Sequence, residues 1–314
     1  MGAPAHPRTH ARMHLLLPAA ACACALALSG CTGDAGDRDH VVVTTNILGD
    51  VTENVLGGQA EVTVLMPPDA DPHSFEISAQ EAALLESASL VVHNGLGLEE
   101  GVEHHVSAAE EAGVPTLEVG THVDPIDYTS DEDRGEPDPH FWTDAQRMLL
   151  AVDLIAEAGA EELDGADTDA LQADAEDYRG EIEELDTWMA ERFEALPEER
   201  RSLVTNHHVF GYLAERHGFE VIGAVVPSGT TLASPSSADL ADLAEAVDRA
   251  GVEAVFADSS QPDRLAQAMA EEAGTEVEVV PLFSESLTAD GGGADTYLEM
   301  MRSNTDAIAD ALTE

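Results

Sequence analysis

The sequence predicts an α/β protein made of two parallel-sheet lobes joined by one long rigid α-helix. Three observations lead there. Short β-branched runs alternate with helical stretches from residue 41 to residue 119, and the alternation resumes after residue 202. Between these regions, residues 144–196 carry helical periodicity with no strand. Histidines and a carboxylate then fall where predicted strands end, which is where parallel sheets bind ligands.

The first thirty residues precede the fold. Arg8 and Arg12 stand before an apolar run from Leu15 to Leu28. The run is shorter than the roughly 20 residues a spanning helix needs. A basic start, a short apolar stretch and small residues at its end read as a secretory signal. It closes with Leu28-Ser29-Gly30-Cys31, which resembles a bacterial lipobox and predicts lipidation of Cys31. More than one acyl chain makes such anchoring stable. All three cysteines (Cys22, Cys24 and Cys31) lie in this segment or at its end. A mature fold without cysteine has no disulfide and no thiolate, so any metal site must use His, Asp and Glu. Residues 31–39 read as a lipidated tether, polar and rich in Gly and Asp.

The remaining length suits one large or two medium domains. Of the 314 residues 44% are hydrophobic and only 4% aromatic, so aliphatic side chains must fill most of the core. There are 63 acidic residues against 13 basic ones, all arginine, for a formal net charge of −50. Such a surface repels nucleic acid and anionic lipid. It reads as a solvated acidic face suited to salty surroundings.

Val41-Val42-Val43-Thr44-Thr45 predicts a buried strand, followed by a helix through Val55 that Gly57-Gly58 closes. Val62–Met66 is a second strand, stopped by Pro67-Pro68, and Ser78–Ala88 is helical. Leu90–His93 is a strand, Glu99–Ala112 a helix and Thr116–Val119 a short strand. Residues 123–139 break the pattern with Pro, Gly and acidic side chains and read as a solvated surface loop. Helices follow over Asp144–Glu162 and Asp167–Leu196, the second long enough for a connecting rod that Pro197 ends. Strands at 202–205, 220–226, 254–257 and 277–280 then alternate with helices at 209–217, 236–250, 264–273 and 294–312. Ser234 or Ser236 caps the helix ending at Ala250. The expected organisation is a signal over 1–30, a tether over 31–39, an N-terminal lobe over 40–165, a connecting helix over 166–197 and a C-terminal lobe over 198–314.

Candidate ligands sit at strand ends in both lobes. The second strand runs into Asp71-Pro72-His73, and the loop before the rod carries Asp138-Pro139-His140. A proline beside the histidine lowers the entropy cost of placing its imidazole. Strand 202–205 ends in Asn206-His207-His208, and the last strand leads into Ser284-Glu285-Ser286. Three imidazoles and a carboxylate make a tetrahedral or five-coordinate site for zinc, or a slightly larger one for manganese. His93, His104, His105, His122 and His217 read as structural or solvent-facing.

The chain resembles the metal-binding solute receptors of zinc and manganese ABC importers, a family that includes adhesin-type lipoproteins. The resemblance rests on Thr44-Thr45-Asn46, Pro72-His73-Ser74-Phe75-Glu76, His93-Asn94-Gly95-Leu96-Gly97-Leu98-Glu99 and Asp138-Pro139-His140-Phe141-Trp142. It continues through Val204-Thr205-Asn206-His207, Phe210-Gly211-Tyr212, Ser284-Glu285-Ser286-Leu287 and Tyr297-Leu298-Glu299-Met300-Met301. It implies His73, His140, His207 (rather than His208) and Glu285 as ligands of one Zn2+ or Mn2+ per chain, carried as cargo. Glu285 stands where the family usually has Asp. Zinc-favouring members often carry a His-rich loop before the second ligand, whereas residues 123–139 contain no His.

The resemblance further implies an extracytoplasmic monomer, lipid-anchored to the outer face of the cell membrane. It delivers its ion to an ABC permease and ATPase, with no catalysis and no nucleic acid. A receptor for a metal chelate or small ligand on the same fold is the alternative; it predicts an aromatic or Arg-lined cleft. A zinc hydrolase would need an open water position beside the metal, and the chain has no His-Glu-x-x-His helix. Surface adhesion is a secondary role within the family. Because a ligating imidazole must be neutral, capture is expected to weaken as pH falls through the histidine range near 6.5.

Overall fold

The computed structural model describes Gly2 and residues 39–129, 133–261, 264–273 and 277–313. Cys31, nearly all of the tether and the signal apart from Gly2 lie outside the described residues. In the N-terminal lobe, strands β1 (His40–Val43), β2 (Glu61–Val64), β3 (Leu90–His93) and β4 (Thr116–Glu118) alternate with helices α1 (Asn46–Leu56), α2 (Ala79–Ser87) and α3 (Glu103–Glu111). Helices α4 (Ala145–Glu162) and α5 (Thr168–Glu194) follow. The C-terminal lobe contains β5 (Ser202–Thr205), α6 (Gly211–His217), β6 (Glu220–Ala224), α7 (Ser237–Ala250), β7 (Ala254–Asp258), α8 (Arg264–Ala273), β8 (Glu278–Leu282) and α9 (Tyr297–Ala311).

Both sheets are wholly parallel and share one plan. The orders are β2-β1-β3-β4 and β6-β5-β7-β8, so each sheet reverses direction beside its first strand. Ligands in open parallel sheets bind outside the carboxyl strand ends near such a reversal. The predicted two-lobe α/β architecture with a long joining helix is the one observed.

Local chemistry explains the element ends. Gly57 closes α1 in the left-handed conformation at φ 55°. Asp144 and Asp167 cap α4 and α5 by accepting from the backbone N–H of Gln146 and Ala170. Ser236, one of the two predicted candidates, caps α7 in a reciprocal box with Asp239.

Several element ends differ from expectation, and three of them have a clear physical reason. Strand β1 stops at Val43, because Thr45 already serves as the extended cap of α1. Helix α3 starts at Glu103 rather than Glu99. The buried Glu99 carboxylate instead accepts from Thr44 Oγ1 (2.6 Å) and from the backbone N–H of Asn94 (2.8 Å) and Gly95 (3.1 Å), fixing the turn after β3. Strand β8 runs through Pro281 to Leu282, which an edge strand tolerates because its outer side needs no N–H donor.

Helix α5 has 27 residues and so spans about 40 Å. It buries Leu171, Ala175, Tyr178, Ile182, Leu185, Met189 and Phe193 along one face. That face packs on α1 and α4 of the first lobe and on α6 and α9 of the second. The rod is therefore a buried spine, and one hydrophobic core runs continuously across both lobes. Two smaller apolar clusters cover the outer sheet faces, one under α2 and α3 and one under α7 and α8. Trp188 is half-buried against this core, with the Arg302 guanidinium of α9 5.2 Å from its ring centre. Among the described residues no helix is long and apolar enough to cross a membrane.

Candidate metal centre

His73 follows β2, His140 follows β4, His207 follows β5 and Glu285 follows β8. Each lobe thus contributes two side chains from carboxyl strand ends, and all four residues are buried. The three imidazole centroids form a near-equilateral triangle: 5.4 Å from His73 to His140, 5.6 Å from His73 to His207 and 5.3 Å from His140 to His207. His73 Nε2 and His140 Nε2 lie 3.3 Å apart. Glu285 Oε1 lies 3.0 Å from His207 Nε2 and 3.6 Å from His140 Nε2, and Glu285 Oε2 lies 3.6 Å from His73 Nε2.

Tetrahedral donors about 2.0–2.1 Å from a zinc ion stand about 3.4 Å from one another. The observed spacings bracket that value. They are spacings that the donors of one ion's coordination polyhedron would have. Both oxygens of Glu285 face the rings, the posture of a bidentate carboxylate.

The polar bookkeeping agrees. Both ring nitrogens of His207 and both carboxylate oxygens of Glu285 are buried without a hydrogen-bond partner. Each group so left costs about 1–3 kcal/mol. Burial pushes the Glu285 carboxyl well above its ordinary range, only partly offset by His73. A divalent cation at the centre would hold it ionised. Burial moves the imidazoles the other way: His73 is lowered to about 4, and His140 and His207 are also lowered. Burial thus favours the neutral imidazole, the form that ligates a metal.

Residues around the donors fix their posture. In both Asp-Pro-His boxes the aspartate Oδ1 accepts the backbone N–H of the histidine two residues on, at 2.9 Å in each. The intervening proline has no N–H to compete for it. Asp138 Oδ1 also lies 2.7 Å from His140 Nδ1. A proton held there leaves the Nε2 lone pair aimed at the centre, as in carboxylate–histidine–metal triads. Burial pushes the Asp138 carboxyl up to about 7. The Glu285 loop is pinned from both sides. Trp142 Nε1 donates to Ser284 O (2.9 Å), Asn46 Nδ2 donates to Ser286 Oγ (2.7 Å), and Asp258 accepts from the Ser284 hydroxyl.

Several of these residues carried no clear signal in the sequence. The aspartates of the two Asp-Pro-His boxes were not singled out as partners of their histidines, although the two-residue spacing suits an Asx-type bond. Asp258 carried no signal, nor did Tyr128, whose hydroxyl lies 3.2 Å from His140 Nδ1. The loop expected to be merely solvated contributes Tyr128 and the buried Asp138, while Asp127 and Pro137 pair across it. His208 lies outside the four-donor cluster, half-buried, with its backbone N–H on Ser228 O (3.0 Å).

Fold and site together define a two-lobed α/β protein with a buried three-histidine, one-carboxylate cluster at the lobe interface. The model of the ZnuA family, "zinc-uptake complex component A periplasmic", matches residues 41–311. The chain belongs to that family. Zinc-binding protein TroA of Treponema pallidum is 31% identical over 306 residues, covering 93% of this chain and 97% of TroA. Manganese-binding lipoprotein MntA of Halalkalibacterium halodurans is 27% identical over 297 residues, covering 92% of this chain and 96% of MntA. The solved structure of periplasmic TroA superposes with a TM-score of 0.81 at 28% identity, over 88% of this chain and 99% of that one.

Proposed function

We propose that this chain is an extracytoplasmic receptor that captures one divalent transition metal, zinc or manganese, through His73, His140, His207 and Glu285, and delivers it to an ABC import permease. One observation carries the reading. Buried donors from both lobes, several of them without any hydrogen-bond partner, converge at the spacing of an ion's coordination shell. Family membership supports the transport role. The donors stand too close together for an organic chelate to lie between them. Both Glu285 oxygens occupy the side where a hydrolase would need an open water position, so the role is binding and release without turnover.

Lipid on Cys31 holds the monomer at the outer face of the membrane. The buried spine α5 and the shared core disfavour wide hinge opening, so capture and release proceed by small rocking of the second lobe and by rearrangement of strand-end loops. Elemental analysis of the purified full-length chain beside His140→Ala tests the reading. One equivalent of zinc or manganese in the wild type, lost in the variant, is the expected result. No stoichiometric metal after reconstitution with either ion would overturn it.

A further inference from the structure

The segment between β6 and α7 reaches back to the first lobe and touches the loop of every candidate imidazole. At its root, Ser228 O accepts the backbone N–H of His208, next to His207. Gly229 then meets the loop that precedes His140. Its N–H donates to Asp133 Oδ2 (2.7 Å) and its carbonyl accepts the Tyr128 hydroxyl (3.3 Å). The same Tyr128 oxygen lies 3.2 Å from His140 Nδ1. A Cβ on Gly229 would run into the Tyr128 phenol, so this approach requires glycine. Two residues on, Thr231 Oγ1 donates to Asp71 Oδ2 (2.6 Å).

Asp71 is the junction. Its carboxylate takes the backbone N–H of His73 (2.9 Å) and the Ser74 hydroxyl (3.1 Å) from its own loop. From the opposite lobe it takes Thr231 Oγ1 and Gln261 Nε2 (3.0 Å). Four donors nearly fill the lone pairs of a carboxylate. Because Asp71 is buried, separating the lobes strips two donors from a charge that water does not readily reach.

We infer that residues 228–232 form a latch across the lobe interface, and that Asp71 is the positioning residue that ties this latch to His73. The inference rests on the metal-receptor reading and adds the element that controls release. With the latch closed, Asp71 and Tyr128 hold the loops of His73 and His140 against the second lobe and the ion stays trapped. Delivery then requires the docked permease to break the Asp71–Thr231 and Tyr128–Gly229 bonds before the ligands part. The latch acts on escape of the ion, whereas the ligand set governs its capture.

Two variants outside the ligand set test this on the full-length chain. Thr231→Val removes the hydroxyl without changing shape, and Gly229→Ala drives the segment off Tyr128. Zinc-loaded protein is mixed with excess EDTA and the release rate is followed by stopped flow, alongside the uptake rate and the bound stoichiometry. Both variants should bind zinc stoichiometrically and take it up at the wild-type rate. Both should release it roughly tenfold faster, the worth of one hydrogen bond to a charged acceptor. Amide exchange at residues 229–231 should slow on zinc loading in the wild type and stay fast in the variants. Stoichiometric zinc released at the wild-type rate by both variants would sink the latch and leave the receptor reading intact. A wild type that takes up no zinc would overturn both.

Discussion

The two Asp-Pro-His boxes look alike in sequence and share one backbone device, yet their aspartates serve different ends. Asp138 turns inward, with one oxygen on both the backbone N–H and the ring Nδ1 of His140. Asp71 uses one oxygen on the His73 backbone and extends the other across the interface to Thr231 and Gln261. The Asp138 carboxylate orients a ligand within its own lobe, although its backbone carbonyl accepts the Tyr212 hydroxyl of α6 (2.6 Å); the Asp71 carboxylate joins a ligand to the opposite lobe. An identical tripeptide thus supplies a local bond, while its surroundings decide where the spare oxygen goes.

Substitutions at the two aspartates should separate these roles. The largest effect is expected for Asp138→Ala, which frees the His140 ring. Metal affinity should fall about 100-fold, the upper end for loss of a carboxylate behind a ligating histidine, as read by competition against a chromogenic chelator. Asp71→Ala should cost roughly tenfold, almost all of it in faster release, because the ring of His73 keeps its direction while the interlobe tie is lost. Equal losses at both positions, split alike between uptake and release, would erase the distinction. Tyr128→Phe removes the hydroxyl's contacts with both Gly229 O and His140 Nδ1 and should speed release at least about threefold, the worth of one neutral hydrogen bond.

A histidine outside both boxes gives the background against pH. His217 packs on Phe193, and burial lowers its pKa to about 4, with Arg216 adding to the shift. In the unfolded chain it takes a proton near pH 6.5. Its contribution to stability is therefore fully present above that value and is lost as pH falls from 6.5 toward 4. Urea unfolding at several pH values should show this slope, shallower in His217→Gln. An unchanged slope in the variant would assign the acid sensitivity to the histidines of the centre.

Much of the fold was legible because its signals are local. The β-branched run at Val41–Val43, the breaks at Gly57 and Pro197, and the apolar stripe from Leu171 to Phe193 each act over a few residues. The departures arose where a distant partner overrode the local pattern. Glu99 lies in a helix-like stretch but spends its carboxylate on the turn after β3. Trp188 sits at core spacing and packs against the core, but stays half-buried with Arg302 over its ring.

The sequence by itself determined the α/β plan, the long spine and the strand-end candidates, while the family resemblance picked His73, His140, His207 and Glu285 from among them. Periodicity, strand-end position and residue chemistry are properties of short windows. Only the tertiary structure decided that both Glu285 oxygens face the rings, that burial favours neutral imidazoles, and that Tyr128, Thr231 and Gln261 belong to the same assembly. Those facts depend on contacts between residues as far apart in the chain as His73 and Glu285. No local pattern encodes them, because a hydrogen bond across the interface exists only once the core has brought the two lobes together.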